Sequence, residues 1–545
     1  MWVLSEIPPT YTLSDNLSSR MSLRILVAGC DRGHHDPKGT GSADFPTTTD
    51  AFDTTHDLGT DAFVAKFDPA GALVYSTFIG GDEFDVGRSI AVDASGDAYL
   101  SGVTRSTDFP VTAGAFVSKG SDFDVFVAKL NEAGTGLVFS TVIGGAGIEF
   151  RNSIAVDALG RAYVAGQTQS PDFPVTPGSL DTNPKGAFIF RLNPEASALD
   201  YSTFLGGSVE ESVDDIFVDN GGNAYVTGGT HSPDFPTTPG AFDTILDVAD
   251  AFVAELNASG SALVFSTFLG GSRYEKGYGV YVDESGQVYV VGSTLSNDFP
   301  TSLGTYDRTY DGEAYFDSDT FVAKLSPGGS NLVYSTFLGG GDDVLFNRTQ
   351  QEGDYCELNC GDIGRSVVLD STGNTTVVGT TTALDFPTTG GAYNTGYKGG
   401  WFDAYVIRIE LIPEPNRPPV AYFEVQSSPG EDARVFVSAN NSADAEDATD
   451  LLEVRWDWEN DGKWDTPWSD VKETKHDYAG GGTYTIRLEV RDTGGLTGNT
   501  TRQALVPGSS GIPPWAVYAV VATAGLGVGG ALLFLRRRNR KTPRA

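Results

Sequence analysis

Four carboxylates lie close enough in the chain to share one cation. Asp457, Glu459, Asp461 and Asp465 fall within nine residues, the first three at alternate positions, and Gly462 follows directly. Calcium takes six to eight oxygens, and a loop that supplies several of them must turn sharply, which glycine allows. Asp457, Glu459, Asp461 and Asp465 are therefore the candidate calcium ligands. Trp468, at the twelfth position of such a loop, offers no oxygen, and Asp470 would serve only in a longer one. The same residues also read as a polar hairpin turn with Trp458 and Trp464 packed on the domain. The sequence leaves both readings open.

Other reactive residue types are sparse. Cys356 and Cys360 are four apart in an insertion and suit a local disulfide in an oxidising compartment. Cys30 has no neighbouring cysteine. The histidines are His34, His35, His56, His231 and His476, and none has further ligands at metal-binding spacing. There is no nucleophile elbow, phosphate loop or zinc-binding helix motif. The expectation is a protein that is not an enzyme and has no cofactor other than calcium.

A repeat positions these residues. Asp-Phe-Pro begins at Asp44, Asp108, Asp172, Asp234, Asp298 and Asp385, in steps of 64, 64, 62, 64 and 87 residues. The long last step holds the insertion at 341–364. A group that recurs six times reads as scaffold rather than catalyst. Proline removes an amide donor and keeps the preceding Phe extended, Phe can fill the gap between structural units, and Asp can accept turn amides. Each period holds four short apolar runs, at 250–256, 263–269, 279–283 and 287–293 in one copy, too short for helices. The tight turn at 283–286 starts with Asp283 and ends with Gly286, and it recurs in the other copies. Both faces of the runs are apolar, so the sheets are covered on both sides, as radially packed blades are. The loops after each Gly-Gly, at 82–85, 210–215, 273–276 and 342–343, vary in charge and length. Variable loops on a rigid frame are where binding is expected.

The text FVAKF–YSTFIGG–IAVDASGDAYLSG–DFP resembles the SBBP-type β-propeller repeat of prokaryotic surface proteins. The resemblance implies a propeller over about 40–410, with the IAVD strand innermost, and implies no particular ligand. Two outer strands at 61–67 and 73–79, and strands at 366–370, 375–381 and 403–409, are left at the two ends. They could close the ring by sharing a blade, and about six blade positions are expected. Beyond the proline-rich linker 411–419, residues 420–506 resemble a PKD (polycystic kidney disease) domain, an immunoglobulin-like sandwich. The matching text is PVAYFEV, SADAED, RWDW and HDYAGGGTYTIRLEVRDTGG.

Residues 1–39 do not follow the period and contain no leader-like apolar run, which points to a misplaced start or a lost upstream segment. After a short linker at 507–514, residues 515–535, bounded by Trp515 and Leu535, carry no charge and are long enough to span a bilayer. The basic tail 536–545 should stay cytoplasmic and the rest outside. Acidic residues number 72 against 36 basic ones, six of which lie in the last ten residues. So acidic a chain repels nucleic acid. The fold class expected is all-β: a propeller of four-stranded blades, an immunoglobulin-like sandwich and one C-terminal transmembrane helix. The function expected is a membrane-anchored surface protein that binds or adheres, its partner a glycan or a surface protein. An extracellular glycan-active hydrolase or lyase and a structural envelope protein are the alternatives.

Overall fold

The computed structural model describes residues 24–27 and 44–506, apart from 58, 121, 210, 313–316, 342–359, 371–372, 399–401, 412–417, 428–432 and 445–448. The chain divides between Glu414 and Pro415 into two units.

The first unit is built of antiparallel sheets in chain order. Four are built on four strands each, and the last of these adds a short fifth, Cys360–Gly361. The first contains Asp85–Val92, Ala98–Thr104, Asp124–Leu130 and Leu137–Ile143. The next begin at Glu149–Val156, Glu211–Val218 and Glu275–Val282 and repeat that order. The hairpin turn inside each sheet forms as its residue types require. Asp93 Oδ1 accepts the amides of Ser95 and Asp97 at 2.9 and 3.1 Å, and Gly96 takes a φ of 84°. The strand that opens each sheet lies against its counterpart in the next. Ser89 Oγ is 3.2 Å from Ser153 Oγ, Ser153 Oγ donates to Asp215 Oδ1 at 2.8 Å, and the Val280 amide donates to Asp215 Oδ2 at 3.0 Å. These are the inner strands, and they contain the expected IAVD runs.

Two expectations are corrected here. The inner strand expected at 279–283 starts at Glu275, not at Gly279. A one-residue register shift between Gly277 and Gly279 carries the ladder past the glycine, and the same shift falls between Gly87 and Ser89 and between Val213 and Asp215. A bulge of this kind keeps charged residues inside a strand. The loops expected at 82–85, 210–215 and 273–276 are correspondingly shorter. Second, among the described residues the strands at the two chain ends do not share a blade. Ala62–Phe67 pairs with Leu73–Ile79 on one side and with Arg24–Val27 on the other. Ile363–Leu369, Thr375–Thr381 and Asp403–Ile409 form a separate three-stranded sheet. The edge that would have received the C-terminal strands is already occupied by Arg24–Val27. Its register sets Val27 opposite Val64, where the sheet that opens at Glu149 sets Ala165 opposite Ile189. Part of the segment expected to lie outside the repeat therefore supplies a blade strand. That gives six sheets among the described residues of this unit.

The second unit is a sandwich of two three-stranded sheets. One contains Glu424–Ser427, Arg434–Ser438 and Glu473–Asp477; the other contains Glu453–Asp457, Gly482–Arg491 and Thr497–Val506. Alternation along Gly482–Arg491 places Ile486, Leu488 and Val490 in a core with Phe423, Val435 and Trp456. Among the described residues no helix is long and apolar enough to cross a membrane. Residues 515–535, with Trp515 and Leu535, lie outside the described residues.

Candidate functional site

The loop after Glu453–Asp457 brings three of the four candidate calcium ligands together. One oxygen each of Asp457, Glu459 and Asp465 lies within 4.8 Å of the other two. Asp457 is buried, and its two oxygens accept the amides of Asp461 and Gly462 at 3.1 and 3.0 Å. Asp465 Oδ2 accepts the Trp458 amide at 2.7 Å. Positive φ at Asn460 (53°) and Gly462 (87°) closes the turn. Asp461 is outside the group: its Oδ1 accepts the Lys463 amide at 2.8 Å, which ties it to the next residues of the turn. Burial and then the neighbouring Asp465 push the Glu459 carboxyl above its usual range, and His476 opposes them. A cation held by Asp457, Glu459 and Asp465 would relieve that crowding. These donors are all hard oxygens, which suit calcium, although the turn amides already use part of their capacity.

Trp458 is buried, as the hairpin reading requires, and stacks on Trp456 at 5.5 Å and on His476 at 4.7 Å. Trp464 is not in the core. It lies between the guanidinium groups of Arg455 and Arg487, 4.3 and 4.8 Å from its ring centre. Arg455 and Arg491 flank Trp468 in the same way, at 4.4 and 4.3 Å. This ladder was not foreseen. The alternation of Arg455, Arg487 and Arg491 with two tryptophans becomes visible only once two strands and a loop lie side by side.

In the first unit the Asp-Phe-Pro residues meet backbone and core. Asp108, Asp172, Asp234 and Asp298 accept the amides of Asp82, Ala146, Ser208 and Ser272 at 2.8–3.0 Å. Each amide belongs to the residue just after a Gly-Gly. A Cβ on the second glycine would approach Asp108 Oδ1 to 2.4 Å at Gly81 and Asp385 Oδ1 to 2.5 Å at Gly340, which explains the residue type. The Phe of every triplet lies against an aromatic ring of the third strand. Phe45 meets Phe63, Phe109 meets Phe126, Phe173 meets Phe188, Phe235 meets Phe252, Phe299 meets Phe321 and Phe386 meets Tyr405, all at 4.2–4.7 Å. Asp44 lies on the surface beside Phe45. Cys356 is outside the described residues. Cys360 begins a two-residue strand that pairs in parallel with Asp317–Leu325.

The short loops after each Gly-Gly and the loops that carry Asp-Phe-Pro form one rim. Its side chains differ from sheet to sheet. Glu83 and Arg105 are 3.5 Å apart at the first. Gly147 and Gln169 take the same positions at the second. Val209 and His231 do so at the third, and His231 lies 6.0 Å from the half-exposed Tyr274 of the fourth.

Residues 416–506 match the PKD domain, and residues 264–300 match the β-propeller repeat. The chain carries SBBP-type propeller repeats followed by a PKD domain. The regulatory protein FlaEY of Caulobacter vibrioides is 26% identical over 310 residues, which are 52% of this chain and 31% of FlaEY. The chain thus matches about a third of the length of that curated relative. The PKD1 domain of Vibrio anguillarum Epp is 31% identical and covers 17% of this chain and 95% of its own, with a TM-score of 0.14. A Dyadobacter fermentans protein of unknown function is 10% identical over 71% of this chain and 92% of its own, with a TM-score of 0.37.

Proposed function

We propose that this chain is a cell-surface binding or adhesion protein. The propeller unit faces the outside and carries the binding rim, the PKD domain serves as its stalk, and residues 515–535 anchor it in the membrane with the basic tail inside. The observation that carries this reading is the contrast within each blade. The Asp, Phe and Gly-Gly frame is nearly constant from copy to copy, whereas the rim next to it presents Glu83 and Arg105 in one blade, Gln169 in another, and Val209, His231 and Tyr274 in the next two. Change confined to loops on a fixed ring is what ligand selection produces. Aromatic and amide side chains on such a rim suit a glycan or a surface protein. The PKD loop of Asp457, Glu459 and Asp465 would take calcium and stiffen the stalk.

Glycan-array binding by the full chain in detergent tests the ligand class. Tyr274→Ala and Gln169→Ala should weaken binding and leave the melting temperature in place, and equal binding by both variants would move the site off this rim. Protease added to intact cells should remove the propeller and leave the tail, whereas a protected propeller would reverse the topology.

A further inference from the structure

One junction of the propeller unit is built differently from its neighbours. The connector from the Asp of the triplet to the head of the third strand spans 172–186, two residues fewer than 108–124 or 234–250. It is also shorter than 44–61, 298–319 and 385–403. This deficit is the origin of the 62-residue step. In four other sheets the residue at the head of the third strand is a buried aspartate, Asp61, Asp124, Asp250 or Asp319; here it is Gly186.

Where the connector has its full length, its backbone meets the next blade. The Thr60 amide donates to the Glu83 carbonyl at 3.0 Å, the Glu149 amide to the Phe123 carbonyl at 2.8 Å and the Ala249 amide to the Arg273 carbonyl at 3.3 Å. Thr60, Phe123 and Ala249 each stand directly before the aspartate. In the short connector Lys185 holds that place, and it crosses with its side chain, Nζ donating to the Gly207 carbonyl at 3.1 Å. A cavity of about 270 Å³ lies here, bounded by the end of the second strand at 168–171, the connector at 184–186 and the loop at 207–209. Two missing residues and one missing carboxylate side chain account for it.

The cavity has two kinds of lining. Pro171, Pro184 and Val209 are exposed apolar residues, and where Val209 stands the other loops carry Glu83, Gly147 and Arg273. Gln169, Lys185 and Ser208 supply the polar groups. Gln169 is exposed, Lys185 spends one of its three donors on Gly207, and Ser208 Oγ, which donates to Asp234 Oδ1 at 2.8 Å, still accepts. The ammonium of Lys185 is already matched: it favours the ionised forms of the buried Glu211 and of the exposed Asp234. The cavity therefore offers hydrogen bonds in both senses and no spare cation for an anionic ligand.

We propose that this cavity is a glycan subsite of the rim and takes one neutral pyranose ring. The inference rests on the glycan reading of the rim and narrows it to one junction. The C–H face of the sugar lies on Val209 and the two prolines, and its hydroxyls exchange hydrogen bonds with Gln169, Lys185 and Ser208. An apolar wall with a few placed polar groups is what a small-molecule site requires.

Saturation-transfer NMR of the full chain in detergent tests this, with methyl glucoside, methyl galactoside, methyl mannoside and glucuronate as probes. At least one neutral glycoside should receive saturation, and glucuronate should receive less. Val209→Trp fills the cavity from an exposed position and should abolish the transfer without lowering the melting temperature. Lys185→Met should weaken binding about fivefold, the worth of one hydrogen bond. Val138→Trp, at a valine 52% exposed on an outer strand, should leave it unchanged. No transfer to any neutral glycoside, full transfer in Val209→Trp, or a preference for glucuronate would each overturn the proposal. The glycan array separates this subsite from the reading it rests on. Array binding retained by Val209→Trp removes the subsite and keeps the rim as a glycan binder, whereas no array binding by the parent chain removes the glycan reading itself.

Discussion

In the PKD domain, carboxylates are answered by arginines on neighbouring strands. Arg455 Nε donates to Glu489 at 2.7 Å, Arg491 Nε to Glu453 at 3.0 Å and Arg434 Nη2 to Asp477 at 2.9 Å. In the propeller unit, the deepest carboxylates are answered by hydroxyls and amides. Glu149 accepts from Thr168 and Ser170, and Glu211 from Gly207 and Ser232. The difference follows from the sheets. One face of a PKD sheet meets solvent, where a long cationic side chain can lie flat and reach across strands. A blade is covered on both faces, and only short donors fit between its neighbours. The same excess of acid therefore becomes sensitive to salt in one unit and to protons in the other.

The largest effects should come from the two cores. Phe252 is fully buried beneath Phe235, and Trp456 is buried against Phe423 and Trp458. Phe252→Ala and Trp456→Ala should each cost about 3–5 kcal/mol, the usual loss for removing a large core ring. Calorimetry of the full chain should show each variant lowering its own transition alone. Coupled shifts of both transitions would break the comparison of two units.

Proton dependence sharpens it. Burial first of all pushes Glu149 up to about 7 and Asp124 up to about 6, above the usual carboxylate range. With folded values raised, the unfolded chain releases these protons more readily, so both groups penalise the fold fully above pH 7. The penalty is relieved as pH falls from about 7 towards the unfolded values near 4. In chelator the propeller transition should rise between pH 8 and 5, and Glu149→Gln should flatten that rise. Asp477 behaves in the opposite sense: its hydrogen bonds to Arg434 hold it below the usual range, so its contribution is present above the unfolded value and is lost as pH falls through the folded one. A propeller midpoint that falls with acid over the same range would refute the assignment.

The cation ladder should count for less. Arg487→Met removes one of the two guanidinium faces from Trp464 and should cost about 0.5–1 kcal/mol, read as a lower urea midpoint of the PKD transition. The smallest effect is expected from Asp234→Ala. Asp234 is exposed and loses only the hydrogen bonds from the Ser208 amide and hydroxyl, each 2.8 Å. Its loss should be well below that of Phe235→Ala and should leave ligand binding unchanged; lost binding at full stability would move the triplet from frame to rim.

The period, the hairpin turns and the aromatic triplets were legible in the chain because each rests on contacts a few residues apart or on a residue type repeated in every copy. The acid that opens each inner strand was legible too: Asp85, Glu149, Glu211 and Glu275 keep the 64- and 62-residue steps. It was read as a variable charged loop because the bulge after it hides the strand's start. Arg24–Val27 was hard to place because its partner strand begins 35 residues after it ends, and no local pattern records that pairing. The sequence by itself determined which residues repeat, and therefore which must serve the frame. Tertiary structure alone decided what those repeats face. Asp250 and Glu275 are 25 residues apart and on different blades, and Arg455, Trp464 and Arg487 come from two strands and a loop. Charge and ring energies fall off within a few ångströms, so their sign and size depend on which strands the fold lays side by side.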